Sequence, residues 1–220
     1  PQGLWAQMLL MVLAAAFTLP LIAGSGGELV GAVAPLTISL VLGAFLFGAA
    51  MQLADGCGSG TLYKAGLGVP LNMGILPLFA LGSFLGSVHL NGWLALGALE
   101  PVGLVQSFGA TGALLATLAA LTMVAVAVGL WSGQRFSLRR MPRRWVGGAV
   151  VLALFAALNL LIAGQPWGVV YGFGLWAAKL AQATDAADLA GNWFWSQGGN
   201  AARLQETVLM DVTSITNIGI

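Results

Sequence analysis

Apolar residues along this chain run in long blocks instead of alternating or recurring at every third or fourth position. Blocks of about 20 residues, each long enough for a helix to cross a hydrocarbon layer of about 30 Å, recur from end to end. Residues 4–23 form the first, free of charge, with Pro20 near its end where a kink disturbs least. Residues 71–89, 109–131 and 145–162 form three more, the last carrying Asn159. Residues 29–53 are apolar but contain Pro35, Gly43 and Gly48. They are read as a short helix followed by a half-helix that ends inside the membrane. Residues 168–181 are too short to cross comfortably and resemble a second half-helix.

The polar interruptions complete the pattern. Residues 24–28 and Asn91-Gly92 read as turns. A carboxylate beside a proline is expensive at a bilayer centre, so Glu100-Pro101 belongs at an interface, followed by a short helix over 102–107. Residues 184–205 make the longest polar connection, a surface loop with Trp193 and Trp195 as interfacial anchors. The sharpest interruption is Asp55-Gly56-Cys57-Gly58-Ser59-Gly60-Thr61-Leu62-Tyr63. Its alternating glycines are expected to admit positive φ and break the helix, and irregular backbone at membrane depth is tolerated only inside protein or along a cavity. The fold class is therefore an all-α integral membrane protein, a polytopic helical bundle with interrupted helices. Residues 1–220 are expected to form a single transmembrane domain. Residues 211–220 read as the opening of a further helix, which points to a piece of a longer membrane protein.

Composition sharpens the class. With 59% hydrophobic and 7% charged residues, the chain lies far from the roughly 25% charge of soluble domains. The 32 glycines suit helices packed closely together. Net charge is only +1, so placement matters more than the sum. Arg135, Arg139, Arg140, Arg143 and Arg144 form one basic cluster, which orients that loop to the cytoplasm and touches anionic headgroups. Residues 109–131 then run inward and residues 71–89 outward. No soluble face exists for nucleic acid. A single cysteine and a single histidine fall short of a metal ligand set. The glycine stretch lacks the Lys-Ser/Thr ending of a phosphate loop, and no cofactor is expected.

The chemistry centres on Cys57. In apolar surroundings a thiol keeps its proton, and a neutral S–H offers a weak hydrogen bond to a soft anion that a thiolate would repel. Weak contacts suit passage, because the ligand must leave as well as enter. Interrupted helices present first-turn N–H groups and a partial positive charge, again favouring an anion. The candidate substrate-binding residues are Gly56, Cys57, Gly58, Ser59, Gly60, Thr61 and, at the second interruption, Gly168. Asp55 either caps the helix that follows or pairs with Lys64. Two other readings stand beside transport: an intramembrane serine hydrolase using Ser59 as nucleophile and His89 as base, and a non-transporting structural subunit of a membrane complex.

Met51-Gln52-Leu53 followed by Gly56-Cys57-Gly58-Ser59-Gly60-Thr61-Leu62-Tyr63 resembles the signature of the YeeE/YedE sulfur-transport family. So do Gln165-Pro166-Trp167-Gly168-Val169 with Leu175-Trp176-Ala177-Ala178-Lys179, and Asp211-Val212-Thr213-Ser214-Ile215 with Asn217 and Gly219. The resemblance implies a bacterial inner-membrane permease with pseudo-repeated halves, not an enzyme, that takes up thiosulfate by S–H contacts between cysteines. Only Cys57 carries over as such a cysteine. Some members work with a small cytoplasmic sulfur-carrier protein, and relatives handle selenium. This chain departs at Val170-Tyr171-Gly172, where the family has small hydroxylated residues.

Overall fold

The structure, a computed structural model, describes residues 2–133 and 141–219. Arg135, Arg139 and Arg140 lie outside the described residues, whereas Arg143 and Arg144 open a helix. The described residues form helices and no strand. In chain order these are α1 (Gln2–Gly24), α2 (Ile38–Ala54), α3 (Gly58–Gly66), α4 (Pro70–Val88) and α5 (Leu90–Leu94). There follow α6 (Leu104–Ser132), α7 (Arg143–Ala163), α8 (Val169–Ala183), α9 (Gly198–Gln205) and α10 (Val212–Ile218). By length and composition, 5 stretches can cross a membrane: Gly3–Gly24, Ile38–Gly66, Pro70–Val88, Leu104–Ser132 and Arg143–Ala163. The chain is an all-α multi-pass membrane protein.

Local chemistry explains the helix ends. Thr37 opens α2 by accepting the Leu40 N–H on Oγ1 at 2.8 Å, and Pro70 opens α4 at a position where a missing N–H is harmless. Gly164 closes α7 in left-handed backbone, φ 69. Inside α6, Gly109 stands at φ 67 and ψ 178, separating a short leading piece from the long apolar helix. That break falls where the block pattern changes, and Glu100-Pro101 lies in the non-helical segment before it.

Three local expectations are corrected. Residues 30–36 are not a short helix; Pro35 removes an N–H and pushes Ala34 out of helical backbone. Leu36 instead accepts the Leu99 N–H at 2.9 Å, beside an isolated bridge between Thr37 and Ala98. Asn91-Gly92 is not a turn but lies within α5. Trp195 is not an interfacial anchor: it is 1% exposed and donates its indole N–H to Ser87 Oγ at 3.0 Å.

Two compact units account for the chain, Pro1–Ala34 with Pro101–Trp167, and Pro35–Glu100 with Gly168–Ile220. In the first, α1 packs on α6 and α7 around Trp5, Met8 and Met141. Asn159, inside α7, turns its amide to the Gln165 carbonyl at 3.2 Å, so its polarity is met within the unit. In the second, α4 packs on α8 and α3 on α4, with Phe84, Leu175, Ala178, Trp195 and Leu204 in one core. No residue of α2 is buried. Its outer face carries Val41, Phe45 and Leu53, suited to lipid or to another apolar surface.

Candidate functional site

The glycine-framed stretch lies wholly in the second unit. α2 stops because Asp55 takes left-handed backbone, φ 52 and ψ 36, while its N–H still returns to the Met51 carbonyl. Asp tolerates this region better than most residues. Positive φ was expected of the glycines, but Gly56, Gly58 and Gly60 do not adopt it. Lys64 holds the turn from within α3, its Nζ 2.6 Å from Asp55 Oδ2 and also donating to the Asp55 carbonyl oxygen. Of the two roles open to Asp55, pairing with Lys64 is the one adopted. Opposite charges inside a candidate span thus neutralise each other.

The glycines serve close approach. A Cβ on Gly58 would stand 3.0 Å from Phe79 Cζ and 3.7 Å from Val170 Cγ2. One on Gly56 would stand 3.3 Å from the Thr61 backbone nitrogen and 3.5 Å from its Oγ1. Gly60 faces the thiol, with its missing Cβ 3.6 Å from Cys57 Sγ.

Cys57 is the residue before the first turn of α3, and its carbonyl accepts the Thr61 N–H at 2.8 Å. Its side chain makes no capping bond, and its Sγ lies 3.3 Å from Ser59 Oγ. The first-turn N–H groups of Gly58, Ser59 and Gly60 have no acceptor within the helix. A half-buried thiol, a hydroxyl and an uncapped helix start are thus gathered at one place, with the Thr61 side chain packed beneath. This set can receive a small anion.

Gly168 precedes α8, and no side chain caps that helix either. Val170, two residues on, packs against Gly58 and so brings the start of α8 beside that of α3. A Cβ on Gly168 would lie 3.6 Å from Thr213 Cγ2, which adds the start of α10. That third helix start is different, because Asp211 Oδ2 takes the Ser214 N–H at 2.7 Å and also the Thr213 hydroxyl. Asp211 is outside the five candidate spans. Burial works against its charge, but those hydrogen bonds and the Arg203 guanidinium prevail and hold its carboxyl below the usual value. At α10 a resident carboxylate occupies the position left open at α3 and α8.

Tyr171 does not put its hydroxyl at the interruption. Its OH donates to Asn200 Oδ1 at 2.9 Å, and Arg203 lies over its ring at 5.2 Å. His89 is likewise removed from Ser59. Its Nδ1 lies 2.8 Å from the Leu85 carbonyl, and it stands ten residues, about 15 Å, along the helix from Phe79, whose ring touches Gly58. A Ser59–His89 dyad needs hydrogen-bond reach, which this separation denies. A cavity of about 590 Å³ among α2, α4 and α8 shares Phe79 and Val170 with the site, but its wall is almost wholly apolar and suits a lipid chain better than an anion.

One residue at the site gave no sign in the sequence reading. Asn72, in the first turn of α4, donates Nδ2 to the Ala54 carbonyl at 3.1 Å, where α2 ends. Its signal was available: an amide in the first turn of the apolar block that follows the interruption.

A family model described as sulphur transport matches residues 1–220. Comparison with characterised proteins and with solved structures finds no match.

Proposed function

The chain belongs to the YeeE/YedE sulphur transport family, and from that premise we propose that it admits thiosulfate through the start of α3, with the protonated Cys57 thiol as the soft contact. The observation that carries this reading is the uncapped first turn of α3 with Cys57 Sγ 3.3 Å from Ser59 Oγ. The substrate contacts are assigned to Gly56, Cys57, Gly58, Ser59, Gly60 and Thr61, with Gly168 contributing the start of α8. When the Ser59 hydroxyl donates to sulfur, the S–H proton is left to face the permeant. The terminal sulfur of thiosulfate is a diffuse acceptor matched to that weak donor, and its oxyanion end suits the N–H groups of Gly58, Ser59 and Gly60. α2 is 17 residues long, about 25 Å, and so ends short of a hydrocarbon layer of about 30 Å. On this reading the binding groups meet the permeant where it sheds water, and several weak contacts replace hydration without trapping it. A bacterial inner membrane and transfer to a small cytoplasmic sulfur-carrier protein belong to the same reading, supported by the family motifs.

The test is uptake of labelled thiosulfate by cells carrying the full-length protein. Cys57→Ala is expected to lower uptake about tenfold, the loss of roughly one hydrogen bond plus a surface fit. Cys57→Ser, a harder donor, is expected to fall between the two. Uptake unchanged in both variants would falsify the role of Cys57.

A further inference from the structure

The end of α2 exposes the Ala54 carbonyl, which in a continuous helix would accept the Gly58 N–H. Asn72 takes its place, with Nδ2 at 3.1 Å across 18 residues of sequence. The next carbonyl, that of Asp55, is taken by Lys64. Two successive peptide groups at the turn are thus held from two sides: Lys64 ties the turn to α3, and Asn72 ties it to α4. The Asn72 side chain is 0% exposed, yet its Oδ1 makes no hydrogen bond among the described residues. A sealed, unpaired acceptor destabilises a fold. The bond to Ala54 and the orphan oxygen offset each other, so Asn72 contributes little to stability on balance.

We propose that Asn72 is a positioning residue for transport: its hold on the Ala54 carbonyl fixes the direction in which Cys57 and the first turn of α3 face the permeant. This deepens the thiosulfate reading and rests on it for the permeant, but the orientation of Cys57 can be measured without transport. Asn72→Leu removes both the donor and the orphan acceptor while keeping the branching and the number of side-chain heavy atoms. Asn72→Asp keeps the shape; when protonated its O–H can serve the Ala54 carbonyl, and when ionised it cannot.

The experiment reads thiosulfate uptake on the full-length protein with its cysteines intact, and reads maleimide labelling of Cys57 and melting temperature on the same protein with any cysteine besides Cys57 replaced. For Asn72→Leu, which loses the orphan acceptor but leaves the Ala54 carbonyl unpaired, we expect a melting temperature near the parent's, a labelling rate shifted about fivefold, and a KM raised about fivefold, the worth of one hydrogen bond. Asn72→Asp should match Asn72→Leu at alkaline pH and approach the parent at mildly acidic pH, each rate taken relative to the parent at the same pH. Labelling and KM within about twofold of the parent in both folded variants would overturn the proposal. So would losses of uptake and melting temperature in step with labelling unchanged, the mark of a merely structural residue. If Asn72→Leu does not accumulate, the pH series of Asn72→Asp decides. A parent protein that takes up no thiosulfate while the labelling shift is present defeats the transport reading and leaves the positioning of Cys57 standing.

Discussion

Gly58 and Gly60 look equivalent in the sequence and are separated by what faces them. The Phe79 ring stands 3.0 Å from the place of a Gly58 Cβ, whereas Gly60 has only the Cys57 sulfur at an ordinary 3.6 Å. Gly58→Ala is therefore expected to destabilise by about 1–3 kcal/mol through overpacking. Adding Phe79→Leu should restore the melting temperature measured in detergent. Gly60→Ala should leave stability equal or improved by up to about 1 kcal/mol, since alanine is the better helix former. Its methyl group nevertheless covers one side of the thiol, so maleimide labelling of Cys57 should slow. Melting and labelling together distinguish a glycine needed for packing from one needed for access.

At the level of elements, the interruption between α2 and α3 is a balanced arrangement. Asp55 and Lys64 are both charged within a stretch apolar enough to span, and they persist because they meet at 2.6 Å. Lys64→Met leaves the Asp55 carboxylate without its counter-charge and is expected to lower stability by about 2–3 kcal/mol on insertion-based scales. The double change Asp55→Asn with Lys64→Met should recover most of that loss in a double-mutant cycle. α10 is stabilised differently, by the carboxylate of Asp211 at its start. Because the folded carboxyl is held below its usual value, this contribution is complete above about pH 4 and is lost as pH falls through the depressed value. Acid melts should therefore steepen below about pH 4 in the parent and flatten in Asp211→Asn.

For the molecule as a whole, the outward surface is the largest constraint. α2 buries none of its side chains, and Phe45 is 75% exposed on it. In water such a face would drive aggregation; beside lipid or another apolar surface it is at rest. Phe45→Lys is expected to lower membrane insertion by about 2.5–3.5 kcal/mol at mid-helix, readable as a smaller inserted fraction in a translocation assay. An unaltered inserted fraction would mean that this face meets water. The same logic limits the site. Few charges are available inside the spans, so on the proposed reading the anion is met by helix starts and weakly acidic hydrogens instead of lysines.

Much of this was decided by composition and block length alone. A chain of 220 residues with 59% hydrophobic content can satisfy its backbone in lipid only as helices, so the fold class and the spans followed from the order of residues. The place of the interruption followed too, because no continuous apolar helix runs through Asp55-Gly56-Cys57. Side-chain partners followed only in part: Lys64 stood among the roles open to Asp55, and the others did not appear. Asp55 and not a glycine adopts the left-handed turn, because Lys64 lies nine residues on and can reach both its carboxylate and its carbonyl. Trp195 is buried and not interfacial, because Ser87, more than a hundred residues earlier, offers its hydroxyl to the indole. Asn72 passes for an ordinary polar residue until α4 lies against the end of α2. Helix formation depends on neighbours three and four residues away, which a linear reading contains. Contacts between helices depend on which faces meet, and only the packed chain decides that.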